Sequence, residues 1–271
     1  MTRRITVVAI GLLSVSLIVG TIGIPSIASG RPANQIPVAH LPGEGGSLQT
    51  PTGSAWQEVE QVTVPLSSAP SGLPNAAAVS TDAVRVEAAR TESTLYVRMR
   101  WKDPTKNATP EGPHGFADAV AMQIPVATDS HPAIALGGRQ NPVNVWYWNA
   151  ETGTQEILAG GPGTITVIGS GIRAKAVHRD DGWTVVLARD LTVPGENRTQ
   201  IRMEHDLDVA FAVWNGANEE RSGRHAVSNW FHYPLGPQPS GPPYQSLLWT
   251  IAGIAIAVIV VVTLLAVRRA E

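Results

Sequence analysis

The chain contains no cysteine in 271 residues. That excludes disulfides, thiolate zinc sites, cysteine-held iron–sulfur clusters and covalent haem attachment through Cys-x-x-Cys-His. Charge is sparse as well, with Asp, Glu, Lys and Arg making up 15% of the sequence. Between Arg31 and Gln245 there are 16 basic and 21 acidic residues, a net of −5. A nucleic-acid binder would carry a basic face, so no nucleic-acid partner is expected. The short signatures of an independent enzyme are missing: Gly-x-Ser-x-Gly, His-Glu-x-x-His and the phosphate-binding loop do not occur. There is no internal repeat.

Both ends are apolar. Arg3 and Arg4 precede the run Val7 to Ile24, and small residues follow at Ser26 to Gly30. A positive start, an apolar middle and a small-residue exit predict an export signal or signal anchor over residues 1–30. The Arg pair alone does not make a twin-arginine signal. At the other end, Leu247 to Val267 is 21 residues without a charge. A helix of that length spans a hydrocarbon core of about 30 Å at about 1.5 Å per residue. Tyr244 and Trp249 sit at one edge, and Arg268 and Arg269 follow the other. Basic residues stay cytoplasmic, so the expectation is a single-pass cell-membrane protein with its main domain extracytoplasmic and a tail at 268–271.

The middle is rich in turn residues, with 26 Gly and 21 Pro in the whole chain. Residues 31–52 read as a Pro/Gly/Ser linker, and 234–246 as a Pro-rich spacer. Residues 53–233 then form one domain. Thr94 to Trp101 alternates cleanly: Leu95, Val97, Met99 and Trp101 share one face, and Tyr96, Arg98 and Arg100 the other. Val84–Arg90, Ala119–Ile124, Val143–Trp148, Thr164–Ile168, Ile172–His178, Gly182–Ala188 and Leu207–Trp214 are further strands. Asp181-Gly182 predicts a hairpin turn through positive φ. The fold class expected is all-β, an antiparallel β-sandwich with a terminal helix at each end.

Four segments, in order, resemble a known family. They are Leu95-Tyr-Val-Arg-Met-Arg-Trp-Lys-Asp-Pro104, Phe116-Ala-Asp-Ala-Val-Ala-Met-Gln-Ile-Pro125, Gly138-Arg-Gln-Asn-Pro-Val-Asn-Val-Trp-Tyr-Trp148, and Val209-Ala-Phe-Ala-Val-Trp-Asn-Gly216 continuing through Glu220 to Trp230. Together they resemble the haem-binding domain of ethylbenzene dehydrogenase and its relatives. Those are the γ subunits of type II enzymes of the dimethyl sulfoxide reductase family. The resemblance covers roughly Val62 to Tyr233. It implies a β-sandwich holding one non-covalent b-type haem, haem b. Such a subunit passes electrons between a molybdopterin-containing and an iron–sulfur subunit on one side and a quinone or cytochrome carrier on the other, without substrate chemistry of its own.

The family uses a Lys after the Trp-Asn-Gly strand and a Met as axial ligands. The Lys position falls here on His225, which keeps coordination chemistry in place. The family's Met often precedes Pro-Val-Asn, but His131 to Gly137 has none. Met122 and His131 therefore remain the alternatives for the second position, with His225 and Met122 as the metal ligands expected first. On a strand Met122 shares a face with Asp118, Val120 and Ile124, where core packing is the competing role. Met99 shares an apolar face, and Met203 lies near charge. Trp146, Trp148, Trp214 and Trp230 suit either a flat pocket or a core. Arg224 and Arg221 suit propionates or a solvated loop. His232 reads as a strand or pocket-wall residue, His114 as a residue of the pocket mouth, and His40 as part of the linker. A competing reading is a haem-free carbohydrate- or ligand-binding module, which would leave Trp faces open in a row.

Overall fold

The computed structural model describes residues 34–110, 112–113, 115–127, 131–134, 136–169, 171–195, 197–221, 223–236 and 244–270. They fall in two compact units, a β domain within Pro32–Pro237 and the C-terminal helix. The expected N-terminal signal, residues 1–30, lies outside the described residues.

Among the described residues, fourteen strands build two sheets. The first runs β1 (Val38–His40), β4 (Ala83–Arg90), β5 (Thr94–Lys102), β11 (Gly182–Asp190) and β10 (Arg173–Arg179), with β2 (Val62–Pro65) also on β4. The second runs β3 (Ser67–Ser68), β13 (Ala226–Val227), β12 (Leu207–Trp214), β6 (Ala119–Pro125), β7 (Val143–Asn149), β8 (Gly153–Ala159) and β9 (Thr166–Gly169), with β14 (Phe231–Tyr233) also on β12. The strand pairs are antiparallel except β1 with β4. One core lies between the sheets. Leu95, Val97, Met99 and Trp101 of β5 meet Val120, Met122 and Ile124 of β6 and Val209, Phe211 and Val213 of β12. Burying each large apolar side chain stabilises the fold by about 1.5–3 kcal/mol.

Arg189 crosses that core. It comes from β11, is fully buried, and donates to Asn144 Oδ1 (2.9 Å) on β7 and Glu156 Oε1 (2.8 Å) on β8. Its guanidinium lies 4.7 Å over the Trp146 ring. The burial that lowers the Arg189 pKa is opposed by Glu156.

The turn between β10 and β11 places positive φ on Asp180 and Asp181, not on Gly182. Gly182 is needed for a different reason, since a Cβ there would meet the Trp101 carbonyl oxygen at 2.5 Å.

The expected linker is corrected from Asn34 onward. β1 pairs with β4, and a short helix, Gly45–Leu48, buries Leu48 completely. Trp56, in the 3-10 helix Ser54–Glu58, donates its indole N–H to the Leu48 and Thr50 carbonyls at 3.1 Å each. Leu48 and Trp56 pack on Tyr96, Val186 and Ala188, so this segment seals the outer face of the first sheet. Two glycines there allow close packing: a Cβ on Gly45 would meet Tyr96 Oη at 2.9 Å, and one on Gly53 would clash with the Ser47 carbonyl oxygen.

The second unit is the helix Tyr244–Ala270. Its start at Tyr244 takes the last three residues of the expected spacer, of which 237–243 lie outside the described residues. Ile251–Arg269 is long and apolar enough to cross a membrane, and its side chains are exposed. Arg268 and Arg269 lie in its last turn.

Candidate functional site

The outer face of the second sheet is apolar. Strand alternation sends Phe211, Met122 and Trp146 inward on neighbouring strands and turns Ala212, Ala121 and Tyr147 outward. Val143 and Val145 of β7 and Ile157 and Ala159 of β8 extend that outward patch. Small side chains at Ala121 and Ala212 leave its middle flat. Tyr147 and Trp214 border it edge to face, 5.7 Å apart. Burial pushes the Tyr147 phenol up to about 12, so it stays protonated.

Two loops lie over this face. From one side, Leu136 packs on the patch, Gln123 Nε2 donates to the Ile134 carbonyl (3.0 Å), and Trp230 Nε1 donates to the Pro132 carbonyl (3.0 Å). From the other side comes the loop between β12 and β13, ending in His225. The His225 ring stacks on Trp214, with centroids 4.5 Å apart and planes at 18°. Its carbonyl accepts from Ala69 N at 2.9 Å, which fixes its backbone beside β3. The ring is half-buried.

His131 marks the opposite end. It stacks on Trp230 at 5.9 Å, and its Nε2 lies 3.0 Å from Asp208 Oδ2, with the side chain 61% exposed. Asp208 and Trp214 are six residues apart on β12, roughly 20 Å at about 3.3 Å per residue. An imidazole nitrogen bonds a transition metal at about 2 Å. As placed, His131 and His225 stand at two ends of one face and do not converge.

Several expected site residues lie elsewhere. Met122 is fully buried in the inter-sheet core, and its sulfur accepts from Tyr233 Oη at 3.4 Å. Strand parity turns it to the inner side of β6, opposite the side that carries Ala121 and Ala212. Trp146 is likewise inward and fully buried beneath Arg189. Trp148 and Met99 are also core. Trp214 does stand on the outer face with His225. Arg224 donates to the Ala78 carbonyl (3.0 and 3.2 Å) and to Asn218 Oδ1 (3.2 Å). Arg221 donates to the Pro113 carbonyl at 2.6 Å. Both tie loops together in this arrangement. His114 lies outside the described residues, and His40 belongs to β1.

Ala121, Ala212 and Tyr147 were not singled out from sequence. Their signal is the alternation Val-Ala-Phe-Ala-Val-Trp in β12, where small residues and Trp214 share one side. The open row of Trp faces that a sugar platform needs is absent among the described residues of the β domain. Trp56, Trp101, Trp146, Trp148 and Trp183 are buried, and Trp214 and Trp230 are half-covered by histidines.

The chain matches the family model described as ethylbenzene dehydrogenase over residues 53–167 and 159–226, which takes in the strands of this face and His225. It is 48% identical, over 98% of its own length and 96% of the relative's, to a protein of Haloferax mediterranei provisionally named a respiratory nitrate reductase heme subunit. It is 30% identical to the chlorate reductase γ subunit of Ideonella dechloratans, over 84% of this chain and 97% of that one. It is 31% identical to the dimethylsulfide dehydrogenase γ subunit of Rhodovulum sulfidophilum, over 78% and 85%. With a family model spanning most of the β domain and relatives of this identity and coverage, the chain belongs to the ethylbenzene dehydrogenase family.

Proposed function

We propose that this chain is the haem-carrying electron-transfer subunit of a membrane-bound molybdoenzyme, with the haem seated against the outer face of the second sheet. The observation that carries the reading is the stack of His225 on Trp214 at the rim of that apolar face. An aromatic ring, a nitrogen donor and a flat aliphatic floor are the chemistry a haem needs from its protein. His225 would hold the group through its imidazole, and His131, at the other end of the face, would supply the second nitrogen donor. The bound group supplies the one-electron chemistry, and the protein holds it, excludes water and sets its potential through the ligand and the apolar wall.

The γ-subunit names of the chlorate and dimethylsulfide relatives support a multi-subunit assembly. The partners proposed are a molybdopterin-containing and an iron–sulfur subunit, and the outlet is a quinone or cytochrome carrier. The Arg pair closing the C-terminal helix supports a cytoplasmic tail and an extracytoplasmic β domain.

The test is a reduced-minus-oxidised spectrum of the full chain in haem-supplied membranes. A b-type band is expected in the wild type and its near-complete loss in His225→Ala. His131→Ala is expected to keep haem while altering the band. A folded wild type that stays haem-free after reconstitution would end this reading.

A further inference from the structure

Five residues before His225, Glu220 is completely buried, and neither of its carboxylate oxygens faces solvent. Oε1 accepts from Ser80 N (2.7 Å), Ser80 Oγ (2.9 Å) and Asn218 Nδ2 (2.9 Å). Oε2 accepts from Asn215 N at 3.2 Å. Every partner is a donor, which suits a carboxylate and no other side chain of that length. A glutamine would turn its NH₂ toward one donor set and lose it.

These bonds join two stretches that are far apart in the sequence. Asn218 Nδ2 and Arg224 both donate to the Ala78 carbonyl. Gly223 lies so close to the same stretch that a Cβ would meet Ser71 Oγ at 2.6 Å and Leu73 Cδ1 at 3.1 Å. Ala69 N closes the set by donating to the His225 carbonyl. The segment 69–80 and the loop 215–225 are therefore laced together along their length, with a buried carboxylate in the middle and His225 at the end.

Resting on the assignment of His225 above, we infer that Glu220 is a positioning residue: it holds the His225 loop against segment 69–80 and keeps a buried carboxylate in the loop that carries the haem-binding imidazole. Two readouts separate this from general structural support. In the apo full chain, trypsin reports the loop directly, because Arg221 and Arg224 lie in it. Losing hydrogen bonds to a buried charge opens a local segment readily, so Glu220→Ala is expected to be cut there roughly tenfold faster or more, with the melting temperature of the sheets little changed. In the haem-loaded chain, Glu220→Gln is expected to raise the reduction potential, since losing a negative charge from that loop favours the ferrous state. Glu220→Ala is expected to weaken haem binding roughly tenfold and mix the spin states. A folded Glu220→Ala with wild-type cutting at Arg221 and Arg224 would overturn the inference, as would a Glu220→Gln potential equal to wild type. A wild type without haem would instead sink the functional reading, and the trypsin comparison would still decide whether Glu220 holds the loop.

Discussion

The outer faces of the two sheets are covered in different ways. On the first, the chain seals its own surface: Leu48, Trp56 and Val59 pack on Ala89, Tyr96, Val186 and Ala188. Arg98 reinforces that seal, with Nε 2.7 Å from Glu87 Oε2 and its guanidinium 4.7 Å over Trp56. On the second, the cover is two loops and two ring stacks, and the histidines in those stacks are partly exposed. A sealed face contributes stability alone. A face covered by loops that carry histidines suits the haem seat proposed above.

The largest expected effect tests the frame that both faces share. Arg189→Ala should cost about 3–5 kcal/mol, because it leaves Glu156 buried with Arg198, at 3.4 Å, as its ion-pair partner among the described residues. Denaturant unfolding measures it, and a change under about 1 kcal/mol would show that the cross-sheet tie is dispensable. The contrast between faces comes next. Trp56→Ala should cost about 3–5 kcal/mol while leaving haem binding intact in whatever fraction folds. Trp214→Ala should cost only about 1–2 kcal/mol, since that ring is half-exposed, yet should abolish haem binding. If the two variants lose stability and haem in parallel, the contrast fails.

The smallest effect concerns pH. Burial, with the neighbouring Asp118 adding to it, pushes the Asp103 carboxyl above the ordinary carboxylate range. The folded chain thus binds this proton more tightly than the unfolded one. From about pH 3.9 upward to the raised value, this group makes stability fall as pH rises, and the full penalty stands above that value. Asp103→Asn should flatten that decline and raise the melting temperature slightly at neutral pH. Equal pH profiles for variant and wild type would remove Asp103 from the account.

Much of the frame was legible before any coordinates. The alternation of β5 and the pattern of β12 mark which residues share a face. What alternation leaves open is which face is inside. In Ala119–Pro125 both sides are apolar and both are buried, so Met122 read as a ligand candidate although the inner core claims it. β8 was hidden for a related reason. Ile157 and Ala159 turn outward, and its buried inward residue is Glu156, which burial alone would forbid and which Arg189 from the other sheet neutralises. The segment Asn34–Thr52 was hidden by its Gly and Pro residues, among which Gly45 packs closely on Tyr96 and Gly43 takes a positive φ in the turn before the short helix. Glu220 could not be found from sequence, because its donors come from Ser80 and from its own loop.

If His225 binds iron over the outer face of the second sheet, free imidazole should replace it in a variant that lacks the ring. The oxidised full chain loaded with haem is examined by electron paramagnetic resonance as wild type, as His225→Ala, and as His225→Ala with added imidazole. A low-spin signal is expected in the wild type, its conversion to high spin or loss in the variant, and its return with imidazole. A variant that keeps the wild-type low-spin signal without imidazole would contradict iron binding through His225.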